Sequence, residues 1–149
     1  MEQQTLLSIK CRIQIARPAH EVFTALISPE HLSNYFLESA SAPLEAGQTV
    51  MWKWPEFAEQ APIRVHEVAP DERVSFSWDI GDRQTRVEFS LKPAPGGTIV
   101  TATESSMPQD EQGIAWLAGN SEGWANFLAS LKAWLEHGVN LRKGAFDFL

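Results

Sequence analysis

Residues Asn120–Gly138, NSEGWANFLASLKAWLEHG, decide the fold. Apolar side chains recur at Trp124, Phe127, Leu128, Leu131, Trp134 and Leu135, a spacing that gathers them on one face of an α-helix. Asn120 or Ser121 suits the cap, Glu122 the first turn, and Gly138 the left-handed stop. The stripe is wide and aromatic, so this helix must lie on something apolar, most simply a sheet. The stretch before it, Gln109–Ala118, reads equally as a short helix or a loop.

Upstream the period is 2. Thr5–Ile15 alternates Leu7, Ile9, Cys11, Ile13 and Ile15 against Ser8, Lys10, Arg12 and Gln14, the pattern of a long half-buried strand. Pro18 suits a first helical turn, and Val22, Phe23, Leu26 and Ile27 form that helix's stripe. Ser28-Pro29-Glu30 opens a second short helix at once, carrying Leu32, Tyr35 and Phe36. Strand patterns then follow at Thr49–Trp54, Ile63–Val68, Glu72–Asp79, Thr85–Leu91 and Thr98–Ser105. Ala69-Pro70-Asp71, Gly81-Asp82 and Pro95-Gly96-Gly97 turn the chain between the later ones, which makes an antiparallel meander. The expected class is α+β: a curved antiparallel sheet of six or seven strands on a long C-terminal helix, with two short helices after the first strand. Residues 1–149 read as one domain with its core at about 7–137. The tail, 139–149, carries Phe146, Phe148 and Leu149, which either fold back on the domain or are covered by a partner, a symmetric homodimer included.

Composition narrows the function. With 44% hydrophobic and 21% charged residues in 149, the chain is an ordinary globule. Nineteen acids against twelve bases give −7, which repels phosphate backbones and anionic bilayers, so neither nucleic acid nor membrane is an expected partner. A single cysteine, Cys11, excludes an internal disulfide and a cysteine-rich zinc site. His20, His31, His66 and His137 show no metal-ligand spacing, no G-x-S-x-G elbow occurs, and Gly96-Gly97 belongs to a hairpin rather than a phosphate loop. No metal or other cofactor is therefore expected. Met1-Glu2-Gln3-Gln4 lacks the basic and apolar regions of a secretory signal, and no apolar run reaches the ~18–20 residues of a membrane span, so a cytoplasmic location is the expectation.

Six tryptophans are the strongest chemical feature. Trp52 and Trp54, two apart on a strand, share a face. Large aromatics converging under the long helix either fill a core or wall an apolar pocket with a few polar handles. The candidate cavity is built from Tyr35, Trp52, Trp54, Trp78, Phe89, Glu104, Trp124 and Leu128, with Tyr35 and Glu104 as the polar handles. Val100, Ala102 and Glu104 share a face by alternation, so with Val100 packed inward Glu104 points towards that cavity or its mouth, where it would serve as an acid/base group or ligand anchor. The opposing reading leaves Glu104 solvated at the strand end or paired with an arginine. His66 alternates out of phase with Val65 and reads as exterior.

Three segments carry a family resemblance. Ile15-Ala16-Arg17-Pro18-Ala19-His20-Glu21-Val22-Phe23-Thr24-Ala25-Leu26 resembles the strand-to-helix junction that opens domains of the START-like (SRPBCC) superfamily. Val65–Pro70 with Arg73–Trp78 resembles the paired middle strands of one branch, and Gly97–Thr101 followed by Gly123-Trp124, Leu128 and Leu131 completes the pattern. That branch is the family similar to the C-terminal domain of the activator of heat-shock protein 90 ATPase, and the resemblance runs from about Leu7 to His137. It implies the helix-grip fold, in which a sheet wraps the last helix around a cavity. The eukaryotic co-chaperone resembles this chain only in its C-terminal domain and engages the chaperone through a further N-terminal domain, so a chaperone partner is weakly implied. Many relatives carry a histidine near the end of the last strand, where this chain has Glu104. Three functions stand as expectations: non-enzymatic binding of a small hydrophobic or amphipathic molecule, a co-chaperone-like or other interaction module with a filled core, and a cyclase- or hydratase-type enzyme using Glu104 as acid/base. The aromatic residues favour binding.

Overall fold

The alternation at the start of the chain becomes strand β1 (Leu6–Ile15) in the computed structural model, which describes residues 5–149. Helix α1 (Ala19–Ile27) buries Val22, Phe23, Ala25 and Leu26, and α2 (Pro29–Leu32) begins with its proline at the first helical position. That proline has no N–H for the carbonyl of Ala25, four residues back. The Tyr35 hydroxyl supplies the missing donor, bonding Ala25 O at 2.8 Å in a fully buried site. Burial pushes the Tyr35 phenol well above its usual range.

The remaining strands are β2 (Ser39–Ala40), β3 (Thr49–Lys53), β4 (Gln60–Ala69), β5 (Arg73–Ile80), β6 (Arg83–Ala94) and β7 (Gly97–Pro108). They form one antiparallel sheet in the order β1-β7-β6-β5-β4-β3-β2. The meander is as the turn chemistry implies, and β1 closes it by pairing with β7, Ile15 opposite Thr98 and Ile9 opposite Glu104. At that corner Gly97 lies so close to β1 that a Cβ there would stand 2.0 Å from Ile15 O.

Helix α3 (Glu111–His137) is 27 residues long, so the ambiguous stretch before Asn120 is helical too. Asp110, not Asn120 or Ser121, is its N-cap, accepting from Gly113 N at 2.8 Å. Gly113 passes so near the last strand that a Cβ would meet Pro108 O at 1.8 Å. Gly138, at φ 64°, ends the helix as its sequence position implies.

Helix α3 crosses the sheet and runs beside β1. Side chains tie the two together: Lys132 Nζ donates to Gln14 O at 2.8 Å, and Glu136 Oε2 accepts from Ala16 N at 2.8 Å and from Lys132 at 2.6 Å. These donors favour the ionised form of Glu136 and hold its carboxyl below the usual range. Between helix and sheet the core is aromatic. Phe89 and Phe127 stack at 5.2 Å with planes 7° apart, and Phe76 joins Trp52 to Phe89. Each such side chain contributes roughly 1.5–3 kcal/mol by leaving water.

Candidate functional site: an anion cage beneath an aromatic cleft

Glu104 lies on β7 opposite Val87 of β6, and Thr85, two residues before Val87, pairs across to Trp78 of β5. This register puts Trp78, Thr85 and Glu104 close together on the concave face. Above them, α3 presents Trp116, Asn120 and Trp124, spaced four apart and hence on one side of the helix. The six side chains meet. Glu104 Oε2 accepts from Thr85 Oγ1 at 2.6 Å, Trp78 Nε1 at 2.9 Å and Trp116 Nε1 at 3.3 Å. Oε1 accepts from Trp124 Nε1 at 2.8 Å and Asn120 Nδ2 at 3.0 Å. The carboxylate is 0% exposed. Five donors meet an acceptor-only group, and among the described residues no lysine or arginine joins them. The position is therefore inward, as alternation with Val100 implies, and the partners are neutral indole, hydroxyl and amide groups rather than an arginine.

Trp78, Asn120 and Trp124 turn their other sides to an open cleft of about 660 Å³. Its walls are the β3–β4 connection, the end of β5, the middle of α3 and the tail. Trp54, Trp78 and Trp124 form a continuous aromatic wall. Trp54 and Trp78 are 6.1 Å apart, and Trp78 stacks on Trp124 at 5.5 Å. Phe36 joins from behind α2, and Phe57 stands at the mouth, 53% exposed.

The tail folds back and makes the outer wall. Arg142 donates to both carboxylate oxygens of Glu56, at 3.1 and 2.7 Å, with both side chains largely buried. Its guanidinium also sits 4.9 Å from the Phe146 ring centre. Phe146, Phe148 and Leu149 are thereby brought to the cleft, although Phe148 remains 79% exposed.

Of the candidate cavity residues, Trp54, Trp78 and Trp124 line the cleft. Trp52, Phe89, Leu128 and Tyr35 lie in the closed core beneath it, each no more than 2% exposed. Glu104 sits one layer behind the cleft wall. Trp52 Nε1 is a buried donor with no partner among the described residues, surrounded by Phe36, Trp54 and Phe76. Sequence reasoning missed Phe36, Phe57, Phe146, Trp116 and Asn120. Asn120 and Trp116 precede Trp124 by four and eight residues, a spacing that puts all three on one side of a helix. His66 is exposed on β4, its ring nitrogen 2.6 Å from Ser77 Oγ. Among the described residues no cluster of His, Cys, Asp or Glu could hold a metal ion, and no helix is long and apolar enough to cross a membrane.

Comparison with known proteins places this geometry. The chain is similar to protein SSP2350 from Staphylococcus saprophyticus, with 29% identity, a TM-score of 0.81, and coverage of 91% of this chain and 96% of that one. The Aha1 dimer from Colwellia psychrerythraea superposes with a TM-score of 0.76 at 23% identity, over 89% of this chain and 98% of that one. DynU16, a protein of the dynemicin biosynthetic locus, gives 0.79 at 23% identity, and this chain, 89% covered, spans 48% of its length. Among curated proteins none matches. The family described as Activator of Hsp90 ATPase homolog 1-like protein matches residues 16–136, and with its seven-stranded sheet gripping α3 the chain belongs to that family.

Proposed function

We propose that this protein binds a small hydrophobic or amphipathic molecule in the cleft between α3, the β3–β4 connection and the tail, without chemical conversion. The observation that carries this reading is the aromatic wall of Trp54, Trp78 and Trp124 facing about 660 Å³ of open space, a volume in the range of small-molecule sites. Glu104 serves that wall rather than the ligand. It fixes the indoles of Trp78 and Trp124 by their N–H groups, a positioning role, and its oxygens face those donors. Native mass spectrometry of the purified protein, followed by denaturing analysis of what co-purifies, tests the reading. A stoichiometric small molecule released on unfolding supports it. A bare spectrum, together with no tryptophan quenching by apolar probes, would count against it.

A second reading has its own observation. Phe57, Phe148 and Leu149 all line the cleft and are all exposed, a surface that a protein partner or a second copy of the chain would cover. The relative from Colwellia is a dimer by its description. Sedimentation of the full chain against a version ending at Gly138 separates the two readings. Equal monomer masses at high concentration would remove self-association.

A further inference from the structure

The charges around the cleft are not balanced. Glu59, Asp79 and Glu122 line it, against one cation, Arg142. Asp79 is paired with Arg64 at 2.6 Å, and Arg142 is held by Glu56. Glu59 and Glu122 are left exposed without a counter-ion among the described residues. A further negative charge lies behind the wall, because Trp78 and Trp124 both donate their indole N–H groups to Glu104. An anion bonded to an indole N–H pushes electron density into the ring, and polarised chains of this kind strengthen one another. Trp124 is 3% exposed and stacked on Trp78, so the polarised ring that the cleft reaches is that of Trp78, more attractive to a positive charge than an isolated indole, whose face already draws cations within about 6 Å.

From this juxtaposition, an aromatic wall backed by a buried carboxylate and rimmed by unpaired acids, we infer that the cleft selects amphiphiles with a cationic head, an alkylammonium or similar amine. The inference rests on the cleft-binding reading and names its ligand class. The apolar part lies against Trp54, Phe57 and Phe146, and the head lies near Trp78 within the field of Glu59 and Glu122. Anionic amphiphiles are disfavoured by the same carboxylates.

Three probes with one decyl chain test this: decyltrimethylammonium, decyl maltoside and decyl sulfate, each titrated below its micelle concentration and followed by calorimetry and tryptophan fluorescence. The expected result is saturable one-to-one binding with the cation about tenfold tighter than the neutral probe, and the sulfate weakest. The Glu59→Gln/Glu122→Gln double variant is expected to lose most of the cation's advantage while the neutral probe is unchanged. Trp54→Ala is expected to weaken both. If neutral and cationic probes bind the parent alike, the cationic class is overturned and the cleft reading survives. If none of the three binds, both fail. Cation binding that is unchanged in Trp54→Ala is adsorption to an acidic surface and also overturns the inference.

Discussion

Replacing Glu104 separates the cage from an ordinary apolar core. In Glu104→Gln one oxygen becomes an NH₂ group. With the amide oxygen kept at the Oε2 position, Thr85, Trp78 and Trp116 retain an acceptor. The NH₂ then faces Asn120 and Trp124. Asn120 can turn its own oxygen to meet it, whereas an indole N–H has no such choice. One buried donor is stranded, at about 1–3 kcal/mol, and the surviving bonds lose charge assistance worth about 1 kcal/mol each. Offsetting this, the variant no longer buries an anion, which itself costs several kcal/mol. The net expectation is a loss of about 2–3 kcal/mol. Glu104→Leu relieves the same burial but strands the donors of Trp78, Thr85, Trp116 and Trp124 together, so its loss should exceed that of the Gln variant by about 2 kcal/mol or more. Urea unfolding followed by near-ultraviolet circular dichroism gives both values. Indole N–H resonances identify Trp78, Trp116 and Trp124 directly, as the three displaced in both variants. A Leu variant as stable as the parent would refute the reasoning, because it would mean that the cage donors need no acceptor.

Four further outcomes are expected. Tyr35 is the one tyrosine in the chain, and its raised phenol makes a stabilising contribution complete below the ordinary value of about 10 and lost as pH rises through the folded value. The phenolate absorbance should therefore appear together with unfolding, and a gradual native-state titration near pH 10 would contradict that. Glu136 has the opposite sign: its lowered carboxyl stabilises the fold above the ordinary value of about 4.3, and the gain is lost as pH falls through its lower folded value. Denaturant midpoints from pH 6 to pH 2.5 should thus fall more gently in Glu136→Gln than in the parent, and parallel curves would count against the Ala16 latch. Gly113→Ala drives a Cβ into Pro108 O and should lower stability by about 3 kcal/mol, which an unchanged denaturant midpoint would exclude. Arg142→Ala should undock residues 139–149, seen as faster amide exchange there, while the thermal midpoint moves by less than about 3 °C. A protected tail in that variant would show that Phe146 suffices to hold it.

The architecture was legible wherever one periodicity ruled a segment. β1, β5 and the second half of α3 follow from alternation or from three-and-four spacing alone. The first half of α3 was not, because Gly113, Gly119 and Gly123 dilute its stripe and Asn120 and Ser121 imitate a cap. What keeps it helical is tertiary: Trp116 and Asn120 are held by a carboxylate from β7, which no local window contains. The inward face of Glu104 was likewise readable by counting from Val100, but its five partners come from β5, β6 and α3 and emerge only from sheet register. Which aromatics wall the cleft and which fill the core was beyond a face assignment. Trp52 and Trp54 point the same way, yet Trp52 is buried under Phe36 and Phe76 while Trp54, just past the end of β3, reaches the open space.

The ties between α3 and β1 bear on how the molecule behaves in a crowd. A sheet border is a template on which another chain can add a strand, and here both borders are poor templates. At one, Lys132 and Glu136 occupy Gln14 O and Ala16 N, and Lys10 and Arg12 add charge along the same strand. At the other, β2 offers only two residues. Assembly through backbone pairing is thereby discouraged, so neighbours must meet this protein by their side chains. Acid weakens one of these guards, since protonating Glu136 removes the charge that strengthens its bonds to Ala16 N and Lys132.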